Sequence, residues 1–469
     1  MAGTYTEGIS KVLSGVYTLI KAAVTVIIQG ARGTVAYPFT SDWGPVNTLK
    51  KISQANEFKA LYNADKTALT AAKIYKHAYN GKPYNLLGYR MATATAAKGT
   101  CTLKDDSNAT SIALETLYPS ARSFSAVVKV GVSGGKVIQI VENGVVLMEV
   151  EGSTVAALVS LLNASDYVRV TGTPGANLPA NTAGTAFAGG NNGSSVTATE
   201  YAAFLDALEA DATSNAFALD GVTDTGILAT CDAFVKRVRP EGFYVTFVKG
   251  GPNTWDSDAG LDLAIATSKA SNNRGIINVG NGVDGYTAAE MAIFIAARVA
   301  AVALNRTLTD EVVPYTAVNY KFKKSDRIAA KLGGTLIFVM DGDNVEIDEG
   351  VNSLTTPADG ETVEFGKIRV SNAYDSITKD LEAFGEAYKR DKSNTPEARE
   401  LYAAAVETDY LQPLAQQEVI QTGYFYKPDP DYHGKNPIYK AKIDEAFFYG
   451  DITPVDSMER IYQKIGTQF

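Results

Sequence analysis

The residues of this chain whose spacing could do chemistry begin with three glycines. Gly280, Gly282 and Gly285 follow a short apolar run, Ile276, Ile277 and Val279. They precede a long segment in which Met291, Phe294, Ile295, Val299 and Val302 recur at three- and four-residue steps. Strand, Gly-x-Gly-x-x-Gly, helix is the textual form of a dinucleotide-binding turn, where backbone N–H groups at a helix start cradle a pyrophosphate. Two features weigh against that use. Asp284 sits inside the turn, where its charge would repel an anion, and beyond Glu290 the next acid is Asp310, which is not at a ribose-binding spacing. The simpler reading is a tight loop, with Asp284 near the helix start where its charge suits the dipole and Gly282 supplying a positive backbone angle.

A second cluster is acidic. Asp341, Asp343, Asp348 and Glu349 gather as acids do at a cation site. Their spacing is not that of an EF-hand, and Val345 and Ile347 interleave them as in a half-buried hairpin, so a solvated turn is the expectation. Histidine is scarce: His77 and His433 are the only two, and HExxH is absent. His77, beside Lys76, reads as a packing or surface residue. Cys101 and Cys231 lie far apart without a CxxC, which leaves no metal or disulfide framework, and Cys231 reads as a small core residue. On these grounds no catalytic, cofactor-binding or metal residue is assigned, and the chain is read as not an enzyme.

The bulk composition supports that direction. The chain has 469 residues, 45% hydrophobic and 20% charged, with a net charge of −9. No basic block stands out, so nucleic acid is not an expected partner. No apolar run reaches the length of a membrane span, and the opening MAGTYTEGISK lacks the basic and apolar regions of a secretory signal. A soluble protein follows, and two free thiols fit a reducing compartment. The 25 tyrosines, against 2 tryptophans, suit extensive protein–protein contact.

The elements that must position these residues alternate. AVTVIIQG and GTVAYPFTSDWGP read as strands, 56–63 and 68–79 as helices, and 84–92 as a strand. From 98 to 175 the chain becomes β-rich: Phe124, Ala126, Val128, Val130 and Val132 alternate on one face, and Asn143-Gly144 signals a type I′ hairpin. The stretch 173–197 is rich in Gly, Ala, Asn, Pro and Thr and reads as a linker. After it the α/β rhythm resumes, with strands at 217–219 and 243–248 and helices at 227–238 and 261–270, predicting a largely parallel sheet. Thr335–Met340 reads as an apolar strand, Ala373–Lys389 as an amphipathic helix, 396–406 and 414–421 as helices, and 438–448 as a strand. Residues 1–22 and the end PVDSMERIYQKIGTQF read as extended arms. The fold class is therefore α/β (mixed α+β) and multi-domain, an α/β core with an inserted β-rich domain and terminal arms.

Seven stretches together resemble the contractile tail sheath proteins of phages and phage-like particles, nearest those of Gram-positive hosts. They are SGVYTLI at 14–20, RGTVAYPFTSDWGPVNTLKKI at 32–52, TATEYAAFLDALEAD at 197–211, FALDGVTD at 217–224, YTAAEMAIFIAARVAAVALNRTLTDEVVPYTAV at 286–318, DNVEIDEGVNSLT at 343–355 and VDSMERIYQKI at 455–465. They follow the family's order across nearly the whole chain. The arm reads LSGVY where relatives tend to have a proline before the glycine, and 98–175 falls where the family varies most.

The resemblance implies a structural subunit that polymerises as stacked hexameric rings around a tail tube. On a baseplate signal the sheath contracts and drives the tube through the host envelope without ATP. It implies an arm at 1–22, a core at 23–97 and 198–347, a protruding domain at 98–175, a linker at 176–197, a tube-proximal domain at 348–453 and a second arm at 454–469. The arms would add strands to neighbouring subunits through Val12, Val16, Tyr17, Leu19 and Ile20 at one end and Met458, Ile461, Tyr462 and Ile465 at the other. Lys379, Glu382 and Lys389 are the candidate tube contacts. Partners would be further copies of the chain, the tube protein, and the baseplate and terminator proteins, with no cofactor, no nucleic acid and no membrane insertion. The location would be the virion tail, after assembly in the host cytoplasm. The alternatives are a nucleotide-binding oxidoreductase using Gly280–Gly285, or the sheath of a tailocin or other injection device.

Overall fold

Alternating apolar residues build a sheet that is covered on both faces. In a computed structural model, which describes residues 2–3, 16–17, 33–132, 134–390 and 392–463, seven strands lie in the order Thr335–Leu336, Ile276–Val279, Thr246–Gly250, Ala216–Ala218, Thr34–Phe39, Asn85–Arg90 and Leu49–Ile52. All neighbours are parallel except the last pair. Val35, Tyr37, Phe39, Ala218, Val248 and Ile277 face one core, which includes the helices Ala71–Asn80, Asp258–Ser271 and Ala288–Ala301. Ala36, Phe217, Phe247 and Ile276 face a second core against the helices Ala198–Asp211 and Thr225–Val238. Burial on both faces explains why these strands read as apolar runs rather than as clean alternation. The segment AVTVIIQG, expected as a strand, lies outside the described residues.

The β-rich body holds two antiparallel sheets. One has the order Val145–Gly152, Lys136–Glu142, Phe124–Val130, Thr182–Ala186, and the other Val168–Thr171, Thr110–Thr116, Thr100–Lys104. Between them lie Leu103, Ile112, Leu114, Phe124, Ala126, Ile138 and Ile140, with the helix Val155–Asn163. The Asn143-Gly144 turn has positive φ at both residues (47° and 81°), as a type I′ turn requires. Two expectations change here. Val130 and Val132 are exposed because the strand ends as the chain turns. The stretch read as a linker carries the strand Thr182–Ala186, whose small residues pair through the backbone with Phe124–Val130.

Thr335–Met340 divides between two sheets. Thr335–Leu336 completes the core sheet, and Phe338–Asp341 forms a hairpin with Asn344–Ile347, beside Glu311–Val312. Residues 348–368, placed with the C-terminal domain on sequence, pack with this unit, which comprises 32–303 and 307–368. Ser353 Oγ donates to the Asn273 carbonyl at 2.9 Å, and Asn272 Oδ1 accepts from the N–H of Thr355 at 2.9 Å.

The second unit comprises 1–31, 304–306 and 369–469. Its long helix spans Ile368–Tyr388, five residues earlier at its start than the sequence periodicity indicates. Pro396–Ala405 runs through a π-helical turn, Val406–Leu411, into Gln412–Gln416. Helix does not continue to 421, because Glu418 takes a left-handed conformation with φ 59°. A hairpin of Phe425–Pro428 and Phe448–Asp451 closes the unit. The strand expected over 438–448 is irregular instead, and Ile438 and Ile443 are exposed. Pro437 cannot donate a ladder bond at its start.

Candidate functional site

The glycine turn is the place to ask whether backbone N–H groups are free to hold an anion. Gly280 N donates to the Leu336 carbonyl at 2.8 Å, Asp284 N to the Ala317 carbonyl at 2.9 Å and Tyr286 N to the Val283 carbonyl at 2.8 Å. Gly282 N donates to Asp256 Oδ1 at 2.8 Å and Gly285 N to Asn319 Oδ1 at 2.7 Å. These five donors are spent inside the protein. The helix start is likewise closed: Thr287 Oγ1 accepts from Glu290 N at 3.0 Å, and Glu290 Oε2 accepts from Thr287 N at 2.9 Å. This reciprocal cap satisfies the donors that a phosphate would otherwise use. Lys73 pairs with the same Glu290 carboxylate at 2.9 Å. Burial opposes the charge on Glu290, yet the Thr287 N–H and Lys73 hold its carboxyl below the ordinary value.

Two details of the turn differ from the sequence reading. The Asp284 carboxylate is held by another loop as well as lying near the helix start. Asp284 takes φ 50°, and its carboxylate accepts from Thr316 Oγ1 at 2.7 Å and from Ala317 N at 2.8 Å. Against the cost of burial, those donors hold its carboxyl low. Asp284 thus ties the turn to the loop 316–319, where Val283 and Val318 form an isolated bridge. Gly282 is not the residue with positive φ; Asp284 and Gly285 are. Gly282 is needed because a Cβ there would overlap the Tyr286 carbonyl oxygen and meet Asn319 Nδ2.

The acidic cluster disperses. Asp348 is buried and accepts from Arg327 Nε at 3.0 Å, and Glu349 pairs with Lys331 and with Lys367. Asp341 and Asp343 stand at the exposed tip of the hairpin. Among the described residues no group of three His, Cys, Asp or Glu side chains is placed to hold a metal ion. His77 is fully buried, with Nδ1 2.9 Å from the Tyr315 hydroxyl and its ring edge-on to Tyr286. Burial lowers its pKa to about 4, with Glu290 pulling upward and Lys76 and Lys73 downward. His433 Nε2 accepts from Phe447 N at 2.9 Å and staples a loop.

Sequence reasoning missed two constellations. At the carboxyl end of Ala216–Ala218, where strand order reverses beside Thr34–Phe39, an α/β sheet opens its usual ligand crevice. Here Asp220 fills that position. It is buried and accepts from Thr70 Oγ1 and from Tyr201 OH, both at 2.7 Å, and burial pushes its carboxyl up. The other is Arg90, also fully buried. Nη1 donates to the Gly44 carbonyl at 2.6 Å, and Nη2 donates to those of Pro119 at 2.8 Å and Asn192 at 3.4 Å. Trp43 leaves the core chain to enter the β-rich cluster, edge-on to Tyr118 and Phe124. The signal for Arg90 was present: a charge closing the apolar strand NLLGYR.

Of the arm residues, Val12, Leu19, Ile20 and Ile465 lie outside the described residues. Val16–Tyr17 pairs in parallel with Ala2–Gly3. Met458, Ile461 and Tyr462 are 82%, 69% and 90% exposed. Lys379, Glu382 and Lys389 share the helix Ile368–Tyr388 and its first following residue. Lys379 is half-buried, Glu382 is exposed, and Lys389 is exposed and pairs with Glu386.

Comparison with known proteins places these features. Residues 194–353 match the model of the phage tail sheath protein central domain. The chain is similar to the phage-like element PBSX protein XkdK of Bacillus subtilis (strain 168), at 25% identity, with 98% of each chain covered. Its fold is similar to that of the sheath tail protein of Desulfitobacterium hafniense, at TM-score 0.72 and 23% identity, covering 96% of this chain and 99% of that one. It is also similar in fold to the helical sheath of the anti-feeding prophage in its contracted state, at TM-score 0.59 and 10% identity, covering 98% and 100%.

Proposed function

We propose, from the premise that this chain belongs to the phage tail sheath family, that it is the repeating subunit of a contractile sheath. Its copies stack as hexameric rings around a tail tube and shorten to drive that tube through a host envelope. The match of 194–353 to the sheath central domain carries this reading. The protein-filled glycine turn and switch point support a structural rather than a catalytic use of the α/β core. Partners are further copies of the chain, the tube, and the baseplate and terminator proteins, and the finished particle carries the protein in its tail after assembly in the host cytoplasm.

The terminal arms act as added strands on neighbouring copies. Val12, Val16, Tyr17, Leu19 and Ile20 serve one arm and Met458, Ile461, Tyr462 and Ile465 the other. Exposure of Met458, Ile461 and Tyr462 supports this, since three large apolar side chains so close together call for a covering surface. Lys379, Glu382 and Lys389 are the tube-facing set. Electron microscopy of the purified full chain tests the reading: hollow cylinders are expected, and a chain that stays monomeric at high concentration, with and without a tube, refutes it.

A further inference from the structure

The C-terminal unit contains a cavity of about 630 Å³ beside the end of the helix Ile368–Tyr388. Tyr388, Tyr402 and Phe448 form its aromatic wall, with ring centroids 4.9 Å and 4.8 Å apart. Lys389, Lys392 and Arg399 line it, against one acid among the described residues, Asp444. In a chain of net charge −9, an excess of cations around one cavity is a local inversion of sign. Lys392 lies over the Tyr388 ring, and Arg399 donates to Asn394 Oδ1 at 2.6 Å. Among the described residues neither makes a salt bridge, whereas Lys389 pairs with Glu386. The aromatic wall and the cations Lys392 and Arg399 together suit a carboxylate carried on a short protein segment.

A hairpin of this chain has that chemistry. The hairpin Phe338–Asp341 and Asn344–Ile347 presents Asp341, Gly342 and Asp343 at an exposed tip, and Gly342 has open space around it at φ 56°. Glu346 stands beside them. Among the described residues no salt bridge neutralises Asp341, Asp343 or Glu346, and the Glu346 carboxyl is raised by burial and then by the charges of Asp341 and Asp310. Surplus negative charge is thus held on a projecting turn in one unit, and surplus positive charge around a cavity in the other.

We propose that the cavity of one copy receives the hairpin tip Asp341–Asn344 of a second copy. Such a contact joins two different surfaces, and heterologous contacts of this kind generate rings and helical filaments rather than closed dimers. It rests on the sheath reading above and adds a named interface to it. Lys389 then faces another subunit, leaving Lys379 and Glu382 for the tube.

Charge reversal tests the pairing. One variant carries Lys389→Glu and Lys392→Glu, the second carries Asp341→Lys and Asp343→Lys, and a third carries all four. All four positions are exposed, so folding is expected to persist and is checked by circular dichroism. Assembly is read by sedimentation and electron microscopy. Each two-site variant alone is expected to lose sheath, at least tenfold less sedimenting material than wild type. The equimolar mixture of the two, and the four-site variant alone, are expected to recover it. If wild type assembles and both two-site variants assemble equally well, the pairing is wrong while the sheath reading stands. If the four-site variant recovers but the mixture does not, the contact lies within one copy and the proposal falls. If wild type itself forms no sheath, the sheath reading fails first.

Discussion

Replacing Arg90 by Met would test whether the β-rich body is fastened to the α/β core. The guanidinium reaches carbonyls on three separate segments: Gly44 in the core, Pro119 in the β-rich body and Asn192 where the chain returns. Burial lowers its pKa to about 10 while Asp42 and Tyr62 pull it upward, so it remains charged at neutral pH. Hydrogen bonds to a charged group contribute about 1.5–3 kcal/mol each. Two of the three are short, so their loss alone costs about 3–6 kcal/mol. Met fills similar volume and removes both a desolvated charge and the unpartnered Nε, which returns part of that cost. The net expectation is about 3 kcal/mol, or a rise of roughly a hundredfold in the open population of the joint. Limited proteolysis reads this directly. Cleavage within 91–99 and 187–197 should accelerate by about that factor, because proteolysis tracks the open fraction when reclosing is fast. A lower first transition in calorimetry should accompany it, in place of a uniform shift, since a chain of this size need not unfold in one step. Unchanged cleavage and an unchanged thermogram would refute the fastening argument.

Three further outcomes follow from particular residues. Gly282→Ala should destabilise by about 1–3 kcal/mol or more, since the added methyl meets backbone rather than a movable side chain, whereas Gly285→Ala, in open space at φ 82°, should cost only about 1 kcal/mol; urea midpoints of the two variants give the order, and equal costs would count against it. His77 has a folded pKa of about 4, below the ordinary 6.5, so it favours the native state fully above pH 6.5 and loses that contribution as pH falls toward 4, worth about 3 kcal/mol. A His77→Asn variant should therefore show a flatter decline in urea midpoint between pH 7 and 4.5 than wild type does. Deleting residues 1–20 or 456–469 should leave a folded monomer by circular dichroism but no stable sheath, and a truncated chain that still forms cylinders would remove the arms from the interface.

How much of this could be read from sequence depended on range. Ala288–Ala301 was legible because its apolar residues recur all round and Thr287 with Glu290 forms a capping box four letters long. Asn143-Gly144 was legible because a type I′ turn needs φ > 0 at both residues. Thr182–Ala186 was not, because TAGTA pairs through its backbone and carries no apolar alternation. The glycine turn was half legible. Strand, loop and helix lay where the spacing put them, but the roles of Gly282 and Asp284 depend on Asp256, Thr316, Ala317 and Asn319, which come from loops elsewhere in the chain. Asp220 was invisible for the same reason: its donors come from Thr70 and Tyr201, and no local pattern links those positions.

The core around Ala288–Ala301 is closely packed and pinned at several points. Of the fourteen residues of Ala288–Ala301, all but Glu290, Arg298 and Ala301 are buried. Tyr37 OH donates to the Ile293 carbonyl at 2.6 Å, pinning the sheet to the helix. At Gly81 a Cβ would strike Ala297 and the Phe294 carbonyl, so the helix Ala71–Asn80 ends in backbone contact with Ala288–Ala301. Close packing of this kind has low compressibility and deforms little. Glu290 and Arg298, the helix's two charges, are themselves paired with Lys73 and Glu311. Transitions between packings are then left to surfaces, where contacts can be exchanged one set for another at similar energy. Met458, Ile461 and Tyr462, the acidic hairpin tip and the basic aromatic cavity are among the places where the described residues leave apolar and charged groups uncovered. A sheath that stores energy in one set of contacts and releases it into another would draw on those three features rather than on the sheet that carries them.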